Sequence, residues 1–481
     1  RRSSGARPGR PAAAAPGEDS NGTIGEYCSG TDTFKPFSDI HRHLYGSIQH
    51  ADFLEWHRRN NFDLTAWSEL YFARFPPIER NMRLGELITK DIYTLTHQKH
   101  RGWEDFHIKY QLLNAGSKFA REPRSVADAK EIIDEIAFFL ARQKEYQRQA
   151  GILVTESRLH LAYRYGNEVN NYFIGRILEI LRDLNEPELR MTIAFSLARD
   201  NPHAIWDVLK SWLVRPIGRF CTGLDFCGNE LLYQPEGLRN FFREILSFNQ
   251  ENPKCAVALL MHAGELVQEG SIESSIRRVH TAARLGTHRI GHATILGVAS
   301  RSIKKHRRTE KVSSRKIQIQ YDLEEFEGLR RAGANLNRSA LEKEMTSLES
   351  VDEESILVCA DFSVNDLEAR QKYVLDDLVS RGTVVECCPT SNVIIGDLES
   401  YADHPISEFL RRGVRVVLAT DDEGLFATDL QREFALIKQV GLLTEQEIEQ
   451  LEFNSRDCIS EILSGRYKAD PSSVNLPFDL R

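Results

Sequence analysis

Histidine and carboxylate side chains hold divalent metals and move protons, and here they gather at the ends of apolar runs. One run ends in His41-Arg42-His43; two imidazoles at i and i+2 of a strand face the same way. Further on come Met261-His262-Ala263-Gly264-Glu265, then Gly291-His292, then Thr420-Asp421-Asp422. Three histidines with one carboxylate bind zinc at neutral pH and leave room for a water. Each piece alone has a commonplace reading. A lone H-x-H is weak, a single His292 after an apolar run is usually a hydrogen-bonded core residue, and Asp421-Asp422 reads as a turn or helix cap. The coincidence of all of them at the ends of separate apolar runs carries the metal reading.

The elements that would position these groups are strands alternating with amphipathic helices. Strands are expected at 36–41, 152–158, 190–196, 220–226, 255–261, 288–292, 383–388 and 414–420. Helical spacing of apolar residues runs through 129–146 and 172–184. Eight strands in this alternation predict an α/β fold, a TIM (β/α)8 barrel, whose catalytic groups gather at the C-terminal strand ends. Two long gaps break the rhythm. Residues 44–128, aromatic-rich and helical, read as a lid after the first strand, and 297–372 as an insertion between the sixth and seventh strands. The second opens with a basic run, 301–318. Residues 1–30, rich in Ala, Pro, Gly, Ser and Arg, read as a disordered tail, 31–470 as the barrel domain and 471–481 as a C-terminal tail.

Composition narrows the class. Of the 481 residues 41% are hydrophobic and 27% charged, the balance of a soluble protein with a substantial core. A net charge of −8 argues against nucleic acid as a partner of the whole surface. No apolar stretch reaches the roughly 20 residues of a membrane span. The N-terminus has no apolar core of a signal peptide. The eight cysteines form no C-x-x-C pair, which fits reduced thiols in the cytoplasm.

The ordered motifs carry a family resemblance. SDIHRHLYGSI resembles the H-x-H-L-x-G-[AS] opening of adenosine deaminases, and TGLDFCGNE their G-x-D-L-x-G-x-E segment. MHAGE, RIGHAT, CPTSN (388–392) and ATDDEGLF are similar to their H-A-G-E, G-H, C-P-x-S-N and T-D-D elements, in the same order. The likeness covers roughly 34–296 and 373–463. It implies one Zn2+ per chain on His41, His43, His262 and Asp421, with Glu265 protonating N1 of an adenine. It further implies that His292 orients and helps deprotonate the attacking water, that Asp422 bonds N7, and that the Gly228 N–H bonds N3. The implied activity is hydrolytic deamination of adenosine or a related adenine nucleoside, releasing ammonia.

One position departs from the pattern. Where adenosine-preferring members resemble H-x-H-L-D-G, this chain has Tyr45, which is expected either to face the sugar end, tolerating a 5′-phosphate, or merely to pack. An adenine nucleotide such as AMP is therefore an alternative substrate, with the basic run as a candidate phosphate holder or, more often for such runs, a solvated mobile loop. A two-metal barrel hydrolase is disfavoured because FCTGLDFCGNE lacks the bridging lysine of those enzymes. A noncatalytic binding protein on the same fold would have no need for Glu265 and His292.

Overall fold

The computed structural model describes residues 37–75, 88–118, 123–472, 474 and 476–477. The expected tail over 1–30 lies outside the described residues, as do parts of 44–128 and of 471–481. Among the described residues ten strands follow in chain order: β1 (Ser38–His43), β2 (Val154–His160), β3 (Arg190–Ser196), β4 (Cys221–Phe226) and β5 (Ala258–Ala263), then β6 (Arg289–His292), β7 (Thr309–Lys311), β8 (Ile356–Val358), β9 (Val384–Cys387) and β10 (Arg415–Leu418). Eight of them form one parallel sheet in the order β1-β2-β3-β4-β5-β6-β9-β10. The sheet closes past the end of β10. There Asp421 bridges Arg42, with the His43 N–H donating to Asp421 O at 3.0 Å and the Asp421 N–H to His41 O at 2.9 Å. This is the expected TIM barrel, and each expected strand overlaps an observed one.

Local sequence explains the elements. β3 (RMTIAFS) and β5 (ALLMHA) are buried along their whole length, as strands covered on both faces must be. The helix Val126–Gln149 starts where Ser125 accepts the Asp128 N–H, and it buries Ile132, Ile136, Phe139 and Leu140 along one stripe. Between β1 and β2 lie the helices His50–Asn60, Thr65–Arg74, Lys90–Tyr93 and Gly102–Ala115. Among the described residues no helix is long and apolar enough to cross a membrane.

The segment between β6 and β9 is folded rather than a loose loop. β7 and β8 pair antiparallel, a two-stranded ribbon of three-residue strands too short to announce itself by alternation. The helices Val312–Glu324, Phe326–Ala332 and Arg338–Leu348 close a small core of Val312, Ile319, Phe326, Leu341 and Leu348. Arg370 clamps Asp322 at 2.7 and 2.9 Å. The basic run is largely consumed in these contacts. Arg315 meets Glu344 at 2.7 and 2.9 Å, Lys311 meets Glu354 at 2.5 Å, Lys304 pairs with Asp397, and Arg308 donates to the carbonyls of Val267 and Gly270 at 3.2 Å. Its residues tie elements together, an outcome that the solvated-loop reading did not include.

One buried acid gives the fold a pH signature. Glu433, on the helix Leu430–Gln439, is fully buried and accepts from the Thr390 N–H at 3.0 Å and the Thr428 hydroxyl at 2.5 Å. Burial outweighs these bonds and pushes its carboxyl up from 4.5 to about 7. The folded state therefore holds a proton that the unfolded chain releases above about 4.5, so this contribution to stability falls as pH rises toward 7. Glu433→Gln should flatten that part of the curve, seen in urea midpoints measured from pH 5 to pH 8. An unchanged slope would assign the dependence to other groups.

Candidate functional site

The C-terminal ends of β1, β5 and β6 and the turn after β10 bring His41, His43, His262, His292 and Asp421 to one mouth of the barrel. One donor atom from each of His41, His43, His262 and Asp421 lies within 4.8 Å of all the others. His43 Nε2 is 3.2 Å from His262 Nε2 and 3.3 Å from Asp421 Oδ1, and His41 Nε2 is 3.5 Å from Asp421 Oδ1. Donors bound to zinc at about 2.0–2.1 Å stand roughly 3.3 Å apart in a tetrahedron. The spacing fits. His41 Nε2 is also buried without a hydrogen-bond partner, a state that costs free energy unless a ligand fills it.

A second ring of charges holds these imidazoles. Glu386 Oε2 lies 2.8 Å from His41 Nδ1, and Asp225 Oδ1 lies 3.3 Å from His262 Nδ1. The Arg158 guanidinium joins the two carboxylates, at 2.5 Å from Glu386 and 3.2 Å from Asp225. Burial alone would raise both acids, but Arg158, with His41 and Arg289 at Glu386 and His262 at Asp225, holds both well below the usual carboxylate range. Burial lowers His262 to about 4, so its ring is neutral and its lone pair free for a metal. Gly291 is required here, since a Cβ would come within 2.8 Å of the His41 ring. Asp421 and His292 take φ of 63° and 70°, unusual strain for residues other than glycine and typical of functional positions.

Glu265 and His292 sit beside the cluster. His292 Nε2 is 3.5 Å from Glu265 Oε1 and 3.9 Å from Asp421 Oδ2. Burial, then the charges of Asp421, Glu230 and Asp422, push the Glu265 carboxyl well above its ordinary value. The loop bearing it is pinned by Glu230, whose carboxylate accepts the N–H groups of Gly264, Glu265 and Leu266 at 2.8, 3.2 and 3.2 Å. Burial holds His292 neutral. Asn392 fixes its tautomer: Oδ1 accepts the Cys388 N–H at 3.3 Å, so Nδ2 donates to His292 Nδ1 at 2.8 Å. The His292 proton then sits on Nε2, the nitrogen nearest Glu265. A ring in that state donates to a water and does not deprotonate it, which narrows the role the family likeness implies.

These groups line a cavity of about 290 Å3 together with Gly228, Asp422 and one face of the helix Gly102–Ala115. Gly228 takes φ of 91°, which favours glycine. Asp422 packs so closely on Gly46 that a Cβ there would overlap its carboxylate. Burial and the neighbouring Asp421 charge push Asp422 well above its ordinary value. Tyr45 is not brought to this cavity. The chain turns at 44–47, ending the strand alternation that would have aimed it inward. Its hydroxyl donates instead to the buried Glu135 at 2.8 Å, which also accepts from Trp56 at 2.7 Å and Ser117 at 2.6 Å. Asp225, Glu230, Glu386 and Arg158 escaped the sequence reading, although a lone charge inside an apolar strand such as TVVECC was a signal.

Comparisons with known proteins find likenesses of sequence over part of the chain and of fold over most of it. The family model described as Adenosine deaminase matches residues 344–459. The chain is 35% identical over 81 residues to an adenosine deaminase of Shewanella loihica, covering 17% of this chain and 24% of that one. It is 34% identical over 85 residues to an adenine deaminase of Agrobacterium fabrum, covering 18% and 26%. The matches thus span about a quarter of the length of these curated relatives. The crystal structure of an adenine deaminase from Arthrobacter aurescens superposes with a TM-score of 0.51 at 15% identity, over 91% of this chain and 99% of that one, a likeness of fold. Over residues 344–459, and in these short matched stretches, the chain is similar to adenosine and adenine deaminases.

Proposed function

We propose that this protein hydrolyses the 6-amino group of an adenine nucleoside, giving the 6-oxopurine and ammonia. The convergence of His41, His43, His262 and Asp421 within 4.8 Å, at the floor of the cavity that Glu265 and His292 line, carries this reading. Those four residues would hold one Zn2+. Zinc, when bound, lowers the pKa of water to about 7 and so supplies a nucleophile at neutral pH.

The chain's own groups do the rest. Glu265, buried and protonated, donates to N1 of the purine, which makes C6 electrophilic. His292 donates from Nε2 and orients the water for attack on C6. The ionised Glu265 takes a proton from that water as the C–O bond forms, and passes it to the amino group. The C6–N bond breaks, ammonia leaves, and Glu265 recovers its proton from the new oxygen. Water thus contributes both protons, one left on N1 and one in ammonia. Asp422 bonds N7 and the Gly228 N–H bonds N3, so the ring is gripped on three edges.

Three tests follow from these assignments. Removing one of four ligands in His41→Ala should lower zinc retention, read as metal per folded chain, and chelation should abolish ammonia release until zinc is restored. Full activity in verified metal-free protein would end the proposal. Glu265→Gln should keep zinc yet lose about 10²–10⁴-fold in kcat. Near-normal turnover in that variant would remove Glu265 from the chemistry. Gly46→Ala should displace Asp422 and raise KM for adenosine at least about tenfold, the worth of a hydrogen bond near 1.4 kcal/mol. An unchanged KM would mean that Asp422 makes no bond to the purine.

A further inference from the structure

The helix Gly102–Ala115 turns a continuous stripe toward the cavity: Trp103, Phe106, His107, Tyr110, Gln111 and Asn114, spaced i, i+3, i+4, i+7, i+8 and i+11. The stripe has two parts. Phe106 stacks on Phe426 at 6.1 Å and Tyr110, half-buried, lies beside it, which gives a largely apolar wall. The outer edge is polar and internally ordered. His107 stacks on Trp103, with 22° between the rings, Gln111 Nε2 lies 3.2 Å from His107 Nε2, and Asn114 Nδ2 donates to Gln111 Oε1 at 3.3 Å. Three side chains thus form a ladder along the cavity mouth, each fixed by a neighbour and each keeping capacity for another bond. The Asn114 carbonyl and the second Gln111 N–H are among those left over.

A purine carries C6 and N9 at opposite ends. With C6 over the metal-ligand cluster and its N1 and N7 edges on Glu265 and Asp422, N9 points away from the cluster, out to the mouth and this ladder. We infer that His107, Gln111 and Asn114 determine specificity by bonding the hydroxyl groups of a neutral sugar on N9, so that the substrate class is the nucleoside and not the bare base. The inference rests on the deaminase reading above. A free adenine would leave the ladder facing solvent and gain nothing from it. A ribosyl group offers donors and acceptors that match amide side chains.

The experiment compares adenosine, its 2′,3′-dideoxy analogue and adenine with the zinc-loaded full chain. Gln111→Leu and Asn114→Leu serve as variants, since both sites are partly or fully exposed and carry little of the core. Wild type should prefer adenosine over adenine and over the dideoxy analogue. Each variant should lower the adenosine-to-adenine ratio of kcat/KM about threefold to tenfold, through KM and not kcat. The same ratio in wild type and both variants would overturn the inference, as would equal use of adenine and adenosine by wild type. Calorimetric Kd values for adenosine and adenine separate the two proposals. Ammonia from no adenine compound sinks the deaminase reading, while the Kd ratio still decides the ladder. Binding of neither compound overturns both.

Discussion

The imidazoles of this site are aimed by buried charge, and the centre of the barrel is given over to it. Arg158 bonds both oxygens of Glu386, Arg289 reaches Glu386 and Glu156 at 2.7 Å each, and all four side chains are fully buried. Such pairs give little net stability, because desolvating each ion costs about what the attraction returns. Their contribution here is orientation. An ionised Glu386 beside His41 Nδ1 draws the ring proton to that nitrogen and leaves the Nε2 lone pair facing the site. Asp225 does the same at His262. A core of aliphatic residues would fold as well, but could not choose a tautomer.

The same logic explains why the barrel closes where it does. Asp421 completes the sheet through its backbone, bonded to His41 and His43, and offers its side chain to the same two residues. Closure and ligand geometry are therefore one constraint. Slipping β10 by one residue against β1 would open the barrel and dismantle the cluster together.

Much of this was legible in the sequence. The strand pattern gave the barrel, since apolar runs of six or seven residues buried on both faces have few other homes. The cluster was legible because its members end separate strands. Two things were not. Tyr45 was left between facing the sugar end and packing, and what decides for packing is Glu135, 90 positions away on the helix Val126–Gln149. The β7–β8 ribbon was missed because three residues are too few for a period. Both are facts of tertiary contact, which local pattern does not record. The basic run shows the converse: its composition suggested a phosphate site, but acids such as Glu344, Glu354 and Asp397 take up several of its charges.

Adjacent aspartates with different duties pose the last structural problem, and the backbone solves it. In an extended strand Asp421 and Asp422 would point to opposite faces, one into the barrel wall. The positive φ of 63° at Asp421 breaks that alternation, so that both carboxylates reach the cavity from different directions. Asp421 meets His41 and His43, which overcome the cost of burial and keep it ionised. Asp422 meets Gly46, where the absent Cβ makes the room, and there burial and the like charge of Asp421 outweigh the lowering influence of His41. One strained residue on β10's exit and one glycine beyond β1 thus turn a dipeptide into a metal ligand and a separate hydrogen-bonding group. The strain is tolerable because sheet closure fixes Asp421 on both sides, through its own N–H and its own carbonyl.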